Sequence, residues 1–278
     1  MYVARTLDEL VAAVAALGPD LALIPTMGAL HLGHLSLLSA AGRESRHVAA
    51  SIFVNPTQFN QGDDLARYPR DEDSDLALLR DAGCDLAWLP SVEIMYPGGD
   101  EIRIVPGSAA LGWEGDARPG HFSGVATVVA KLLNQVRPAC AFFGEKDWQQ
   151  LQVIRSIVEA LFIPVRIEGV ATKREADGLA MSSRNRFLTP LERQRAPALH
   201  RCLRRLARAI ADGDEVDVCL ATAREDLRLQ GFSVEYLALV AASSLQAIAE
   251  NRPGARLLAA ARLGSVRLLD NLAVSPLR

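Results

Sequence analysis

Lysine is scarce in this 278-residue chain: Lys131, Lys146 and Lys173 are three of 30 basic residues, and the rest are arginine. Lysine is a compact point charge and arginine a planar fork. A lysine kept in an arginine-preferring chain hints at a place for an ammonium, although chance accounts for any one of the three. No apolar run approaches the roughly 20 residues that span a bilayer, which argues against a membrane-spanning helix. The net charge of -3, with acids and bases interspersed, provides no cationic face for nucleic acid. The four cysteines, Cys84, Cys140, Cys202 and Cys219, show no CxxC spacing and no metal pattern with histidine. A disulfide framework is therefore not expected, and Cys84 and Cys140, in or beside apolar stretches, read as buried thiols in a reducing compartment. With Asp8 and Glu9 near its start the chain lacks a signal-peptide layout, so a cytoplasmic protein is expected. Repeats and low-complexity tracts are missing too.

Half of the residues are hydrophobic, enough for a substantial core in one large or two modest domains. Short apolar runs at 21–24, 48–54, 85–89, 139–143 and 165–170 read as buried strands, and 35–45, 73–82, 125–136 and 149–161 have helical spacing. This alternation predicts an α/β fold: a Rossmann-like, doubly wound parallel sheet, with ligands beyond the strand C-termini. The pattern changes after 171–187. Thr189-Pro190-Leu191-Glu192 combines an N-cap, a first-turn proline and a capping-box glutamate. It starts an arginine-rich helix to about 212, followed by a second helix to about 230. Strand-like segments at 234–240, 256–261 and 266–273 follow, the last two flanking a hairpin at Leu263-Gly264. The expected division is a catalytic domain over 1–174 and a smaller α+β domain over 175–278.

Four polar motifs fall at or just past predicted strand ends. Pro25 to His34 (PTMGALHLGH) lies between a strand and a helix. Gly28 and Gly33 permit close backbone approach, and a helix N-terminus suits phosphate. His31 and His34, three apart, share a face if the turn is helical and could donate to phosphoryl oxygens. A glycine turn with two solvent-facing histidines is an equal reading of that string alone. Phe142 to Gln150 (FFGEKDWQQ) sets Lys146 between Glu145 and Asp147, which in isolation reads as a solvated charged turn. Asp177 to Arg186 (DGLAMSSRNR) offers hydroxyls and guanidiniums for triphosphate oxygens, or a polar interdomain loop. Phe53 to Phe59 (FVNPTQF) brings Asn55 and Gln58, each able to donate and accept, or a plain Asn-Pro turn. Four such motifs on one edge of one sheet point to a nucleotide with a small polar co-substrate.

These strings resemble the pantothenate synthetases, a family of the HxGH nucleotidyl-transferase superfamily. The likeness runs through 25–34, 53–59, 68–79, 90–97, 118–132, 143–151, 174–185 and 256–271, in order and over nearly the whole chain. It implies an ATP-dependent ligase that converts pantoate to pantoyl-adenylate, releasing pyrophosphate, and then condenses it with β-alanine, releasing AMP. It also implies a homodimer, and a C-terminal domain that covers the active site.

Carried over residue by residue, the resemblance assigns His34 the principal catalytic role, with His31 and Lys146 assisting. It places ATP against Met27, Gly28, Ala29, Leu30, His31, Leu32, Gly33 and His34, against Gly144, Glu145, Lys146 and Asp147, and against Lys173, Met181, Ser182, Ser183 and Arg184. Gln58 and Gln150 would hold pantoate, Gln58 also facing β-alanine, with Asn55 and Arg118 as further substrate residues. Lys173, Asn60 and Ser74 depart from the family pattern, standing where a small apolar residue, a glycine and an aspartate are usual. Asp75 matches an acidic position near Mg²⁺; with Ser74 beside it, the alternative is a metal held by phosphates and water. The rivals are another HxGH transferase acting on a phosphate acceptor and a non-catalytic nucleotide-binding module.

Overall fold

The computed structural model describes residues 1–59, 65–66 and 68–275; Asn60 lies outside the described residues. Cα proximity groups the chain into two compact units, one of residues 1–145 and 149–171 and one of 146–148 and 172–278.

The first unit holds a six-stranded parallel sheet of β1 (Tyr2–Ala4), β2 (Leu21–Thr26), β3 (His47–Ile52), β4 (Leu86–Trp88), β5 (Cys140–Gly144) and β6 (Arg166–Val170), in the order β1-β4-β3-β2-β5-β6. Its crossover helices include α1 (Leu7–Leu17), α2 (Leu32–Glu44) and α3 (Glu72–Asp81); α4 (Val92–Met95), α5 (Trp113–Ala117), α6 (His121–Val136) and α7 (Trp148–Ala160) follow. Side-chain alternation along the strands distributes the core over two faces. Ala22, Ile24, Val48, Ala50, Ala87 and Phe142 pack with Leu37, Leu38 and Ala41 of α2 and Leu76 and Leu79 of α3. Trp88, one residue beyond Ala87, turns its indole N–H to Gln135 Oε1 of α6 at 3.0 Å. Helices thus cover both faces, as a doubly wound sheet requires, and the buried strands read as near-continuous apolar runs for that reason.

Strands β2, β3 and β4 progress in one direction, and β5 and β6 lie on the other side of β2. The order therefore reverses between β2 and β5, the switch point outside which doubly wound sheets bind ligands. The PTMGALHLGH turn leaves β2 there, the FVNPTQF turn leaves β3 next to it, and the FFGEKDWQQ motif runs on from the end of β5.

The second unit has α8 (Pro190–Arg195), α9 (Ala198–Ala211), α10 (Val216–Leu229) and an antiparallel sheet β7 (Phe232–Ala241), β8 (Ala255–Leu263) and β9 (Val266–Ala273). Thr189 and Glu192 form the expected capping box, and β8 and β9 join through the two residues after Leu263. Gly264 has φ 57° in that turn, the left-handed region a tight hairpin needs. The long helix expected from 190 to 212 is instead two, α8 and α9. Pro197 interrupts it, because proline lacks the N–H that would continue the ladder. The apolar stripe Leu199, Cys202, Leu203, Leu206 and Ile210 of α9 packs with Leu220, Leu227, Leu237, Leu257 and Ala259 into the core of this unit. All four cysteines are free thiols; Cys84, Cys140 and Cys202 are buried, and burial pushes the Cys84 thiol up to about 11. Among the described residues no helix is long and apolar enough to cross a membrane.

Candidate active site

The turn after β2 has an unusual backbone. Gly28 and Ala29 both adopt left-handed φ, 76° and 52°, and for alanine that conformation costs about 1 kcal/mol or more. A buried carboxylate holds it in place. Asp75 of α3 accepts the Ala29 N–H on Oδ2 at 2.8 Å and the Leu30 N–H on Oδ1 at 2.7 Å. A Cβ on Gly28 would come within 2.7 Å of Asp75 Oδ2, so glycine is required by space as well as by φ. Thr26 completes the turn, its hydroxyl donating to the Ser51 carbonyl at 2.7 Å and accepting from the Gly28 N–H at 3.2 Å.

The two histidines cap α2. The Gly33 N–H donates to His31 Nδ1 at 3.0 Å, and the His31 N–H donates to His34 Nδ1 at 3.3 Å. Their ring centroids lie 4.2 Å apart. An Nδ1 that accepts from the backbone fixes the neutral tautomer, so each ring carries its proton on Nε2. The result is a pair of imidazole donors at a helix N-terminus, beside the switch point of the sheet.

Beyond β3, Asn55 is 1% exposed and its amide is spent on protein. Its Nδ2 donates to Gln58 Oε1 at 3.0 Å and to the Gly124 carbonyl at 3.2 Å. Its Oδ1 accepts from Tyr96 Oη at 2.7 Å and Thr57 Oγ1 at 3.0 Å. Burial raises the Tyr96 phenol, against the lowering by its bonds to Thr57 and Asn55, so it stays a neutral donor. The Gln58 carbonyl accepts from His121 Nδ1 at 2.8 Å and Arg118 Nη2 at 3.3 Å, with Arg118 Nη1 3.1 Å from His121 Nε2. Gln58 Nε2 lies 3.0 Å from the Met27 sulfur, a weak acceptor. On α7 the adjacent Gln149 and Gln150 differ. Gln149 is buried, donating to the carbonyls of Ala109, Leu111 and Gly112 and accepting from the Glu114 N–H. Gln150, one residue on, is half-buried.

In the second unit, Lys146, Ser182, Arg184 and Asn185 line one pocket with Leu179, His200 and Asp270. Lys146 Nζ is 3.1 Å from Asp147 Oδ1. The 173–181 segment is a hairpin: Met181 N–H donates to the Lys173 carbonyl at 3.0 Å, the Glu175 N–H to Leu179, and Gly178 turns at φ 93°. Lys173 itself is exposed. Ser182 Oγ accepts from the Arg184 N–H, and Asn185 Nδ2 donates to the Ala180 carbonyl. Asp270 lies beneath, accepting a bidentate pair from Arg174 at 2.8 Å each, with His200 Nδ1 3.4 Å away. Burial would raise the Asp270 carboxyl, yet the bonds from His200 and Arg174 prevail and hold it below the usual carboxylate range.

A family model for pantoate–β-alanine ligase matches residues 2–273. The chain belongs to the pantoate–β-alanine ligase family. It is 57% identical over 277 residues to the pantothenate synthetase of Granulibacter bethesdensis, covering 98% of this chain and 96% of that one. The pantothenate synthetase of Acidiphilium cryptum is 56% identical over 278 residues, covering 99% and 100%. Among solved structures, pantothenate synthetase from Thermus thermophilus superposes with a TM-score of 0.94 at 47% identity, covering 99% and 100%. The Francisella tularensis pantoate–β-alanine ligase, solved in complex with β-γ ATP and β-alanine, gives 0.84 at 34% identity, covering 98% and 97%. The chain is therefore an enzyme of the ligase class.

For this member of the pantoate–β-alanine ligase family, the residues expected from sequence divide by what the structure does with them. Met27 and Gln58 meet across adjacent strand ends, His31 and His34 lie against each other at the α2 N-terminus, and Lys146, Ser182 and Arg184 share a pocket. Ala29 and Leu30 are buried and their N–H groups are taken by Asp75. Asp75 as a metal ligand fits poorly: each oxygen accepts a backbone N–H, and no group of three metal-ligating side chains occurs among the described residues. Lys131, one of the three scarce lysines, is a packing residue, donating to the Met95 carbonyl at 2.8 Å and lying over the Tyr96 ring. His121, Tyr96, His200, Asp270 and Asn271 were not among the sequence candidates. Tyr96, His121, Asp270 and Asn271 do lie in the strings that carry the family likeness, and Asp270-Asn271 stands out as a polar pair inside the apolar run 266–273, whereas His200 lies outside those strings.

Proposed function

We propose that the chain condenses pantoate with β-alanine in two steps at the expense of ATP, with the residue roles that follow. A pantoate carboxylate oxygen attacks the α-phosphorus of ATP, forming pantoyl-adenylate and expelling pyrophosphate. The β-alanine amine then attacks the acyl carbon, forming the amide and expelling AMP. The fixed tautomers of His31 and His34 carry this reading. Two Nε2–H donors at the α2 N-terminus suit negative charge developing on phosphoryl oxygens, and they need no reorganisation at the moment of reaction. His34 takes the principal part and His31 assists.

Lys146, Ser182 and Arg184 are assigned to the triphosphate, with Gly144, Glu145, Asp147, Lys173, Met181 and Ser183 around the nucleotide. Gln58 and Gln150 are assigned to pantoate, Gln58 also facing β-alanine. Asn55 acts by orienting the Gln58 amide, and Arg118 with His121 fixes the Gln58 carbonyl. With Asp75 engaged by the turn, Mg²⁺ is expected to arrive on the ATP phosphates, where it would neutralise charge, rather than in a protein cage. A cytoplasmic homodimer, with a catalytic domain over 1–174 and a covering domain over 175–278, completes the proposal from the family resemblance. Light scattering on the purified protein tests the dimer.

The decisive experiment is pantoate-dependent exchange of pyrophosphate into ATP, with mass-spectrometric detection of pantoyl-adenylate when β-alanine is omitted. Exchange driven by a different acceptor, and not by pantoate, sinks the assignment. His34→Ala is expected to fold normally and lose about 10²–10³-fold in exchange, the size of removing one oxyanion donor. Activity preserved in that variant would remove the histidine from its role.

A further inference from the structure

Residues 146–148 are held at three points by the C-terminal sheet and the residue that follows β7. Asn271 Nδ2 donates to the Lys146 carbonyl at 2.8 Å. Trp148 Nε1 donates to the Ala242 carbonyl at 2.8 Å. Arg256 lies 3.5 Å over the Trp148 ring, a cation–π contact. Asn271 links two of these points. It is 5% exposed, and its Oδ1 accepts from Arg256 Nη1 at 2.5 Å. Arginine has no acceptor, so the amide oxygen must face Arg256 and the NH₂ must face Lys146. The Asn271 N–H in turn donates to Asp270 Oδ1 at 2.8 Å, the same carboxylate that grips Arg174 at the base of the 173–181 hairpin.

A lysine ammonium rides on four flexible carbons. Where it reaches, and how much entropy it loses on meeting phosphate, depend on how firmly its own backbone is placed. The neutral amide of Asn271 adds no charge to the pocket, so its bond to a carbonyl serves placement. We propose that Asn271 is a positioning residue for Lys146, acting through the Lys146 carbonyl to set the reach of the ammonium during adenylate formation. This rests on the assignment of Lys146 to the triphosphate.

Asn271→Asp is the informative variant. It keeps the size and the acceptor facing Arg256 but replaces the donor with an oxygen that repels the Lys146 carbonyl. Pantoate-dependent pyrophosphate exchange is measured on the full-length protein, with and without Lys146→Ala. In the otherwise intact protein the exchange kcat is expected to fall about 10- to 100-fold, the scale of a small misplacement of a catalytic group, with the KM for pantoate unchanged. In the Lys146→Ala background Asn271→Asp is expected to add no further loss. Exchange close to the wild-type rate in folded Asn271→Asp overturns the proposal, as does an equal loss in both backgrounds, since Asn271 would then act elsewhere. Should Asn271→Asp not fold, Asn271→Ala carries the same expectations, and failure of both to fold makes the residue a structural one and overturns the proposal. Wild-type exchange by Lys146→Ala alone would overturn the phosphate assignment instead, a result distinguishable because Asn271 is then intact.

Discussion

Asp75 shows how one side chain can hold the backbone of a turn. Its two oxygens hold two consecutive N–H groups of a turn with two left-handed residues. Asp75→Asn places an NH₂ donor against one of those N–H groups, and leaving a buried donor unsatisfied costs about 1–3 kcal/mol. Both stability in urea and the exchange rate are expected to fall, while the Mg²⁺ concentration for half-maximal activity stays where it was. A raised Mg²⁺ requirement at unchanged stability would return Asp75 to the metal. The acidic residue was legible in the sequence, but its partners were not, because they are 45 and 46 residues away and are backbone atoms that no side-chain pattern announces. His31 and His34 were legible because their spacing and the flanking glycines carry the chemistry locally. Their tautomers were not, since these depend on which N–H each Nδ1 meets.

At the scale of elements, α6 positions the Asn55–Gln58 turn by close approach. A Cβ on Gly124 would lie 2.5 Å from the Thr57 carbonyl oxygen and 2.7 Å from Gln58 Cα. These are backbone atoms and cannot swing aside, so Gly124→Ala must push helix and turn apart. Overpacking of this kind costs about 1–3 kcal/mol, and the displaced Gln58 is expected to raise the KM for pantoate more than that for ATP. Steady-state kinetics with each substrate varied, beside a thermal melt, measures both. An unchanged pantoate KM would detach Gln58 from pantoate. Strands β2 to β5 were readable as largely apolar runs because burial on both faces leaves few polar residues in them, whereas β6, an edge strand carrying Arg166 and Glu168, is only partly buried and not the buried strand expected. β1 is three residues with exposed Tyr2 at its start, too short for a period, and went unread. The break at Pro197 was written in the sequence, yet the arginine-rich periodicity on either side masked it.

For the molecule as a whole, Asp270 is a buried charge that ties three elements of the second unit together. It joins β9 to Arg174 at the base of the hairpin and to His200 on α9, and it is 4% exposed. This junction had no sequence signature, because its members lie at 174, 200 and 270 and only folding brings them together. Asp270→Asn leaves Arg174 without its carboxylate. The expected loss is about 3 kcal/mol, the low end for breaking a buried pair, because the Arg174 side chain keeps 20% exposure. The pH dependence follows from the sign of the shift. The folded carboxyl titrates below its unfolded value of about 3.9, so between the two values the unfolded chain binds more protons. The stabilisation is therefore complete above the unfolded value and disappears as pH falls through the folded one. The amide that replaces the carboxyl cannot ionise, so the gap in stability between wild type and Asp270→Asn should narrow as pH falls below about 4. Carboxylates remote from Asp270 titrate in the same range, but they are common to both proteins and cancel in the difference. Unfolding of a two-unit chain need not be two-state, so amide exchange of β8, the central strand of the second unit, is the appropriate probe. A gap that persists undiminished below the folded value would mean that the Asp270 charge does not hold this unit together.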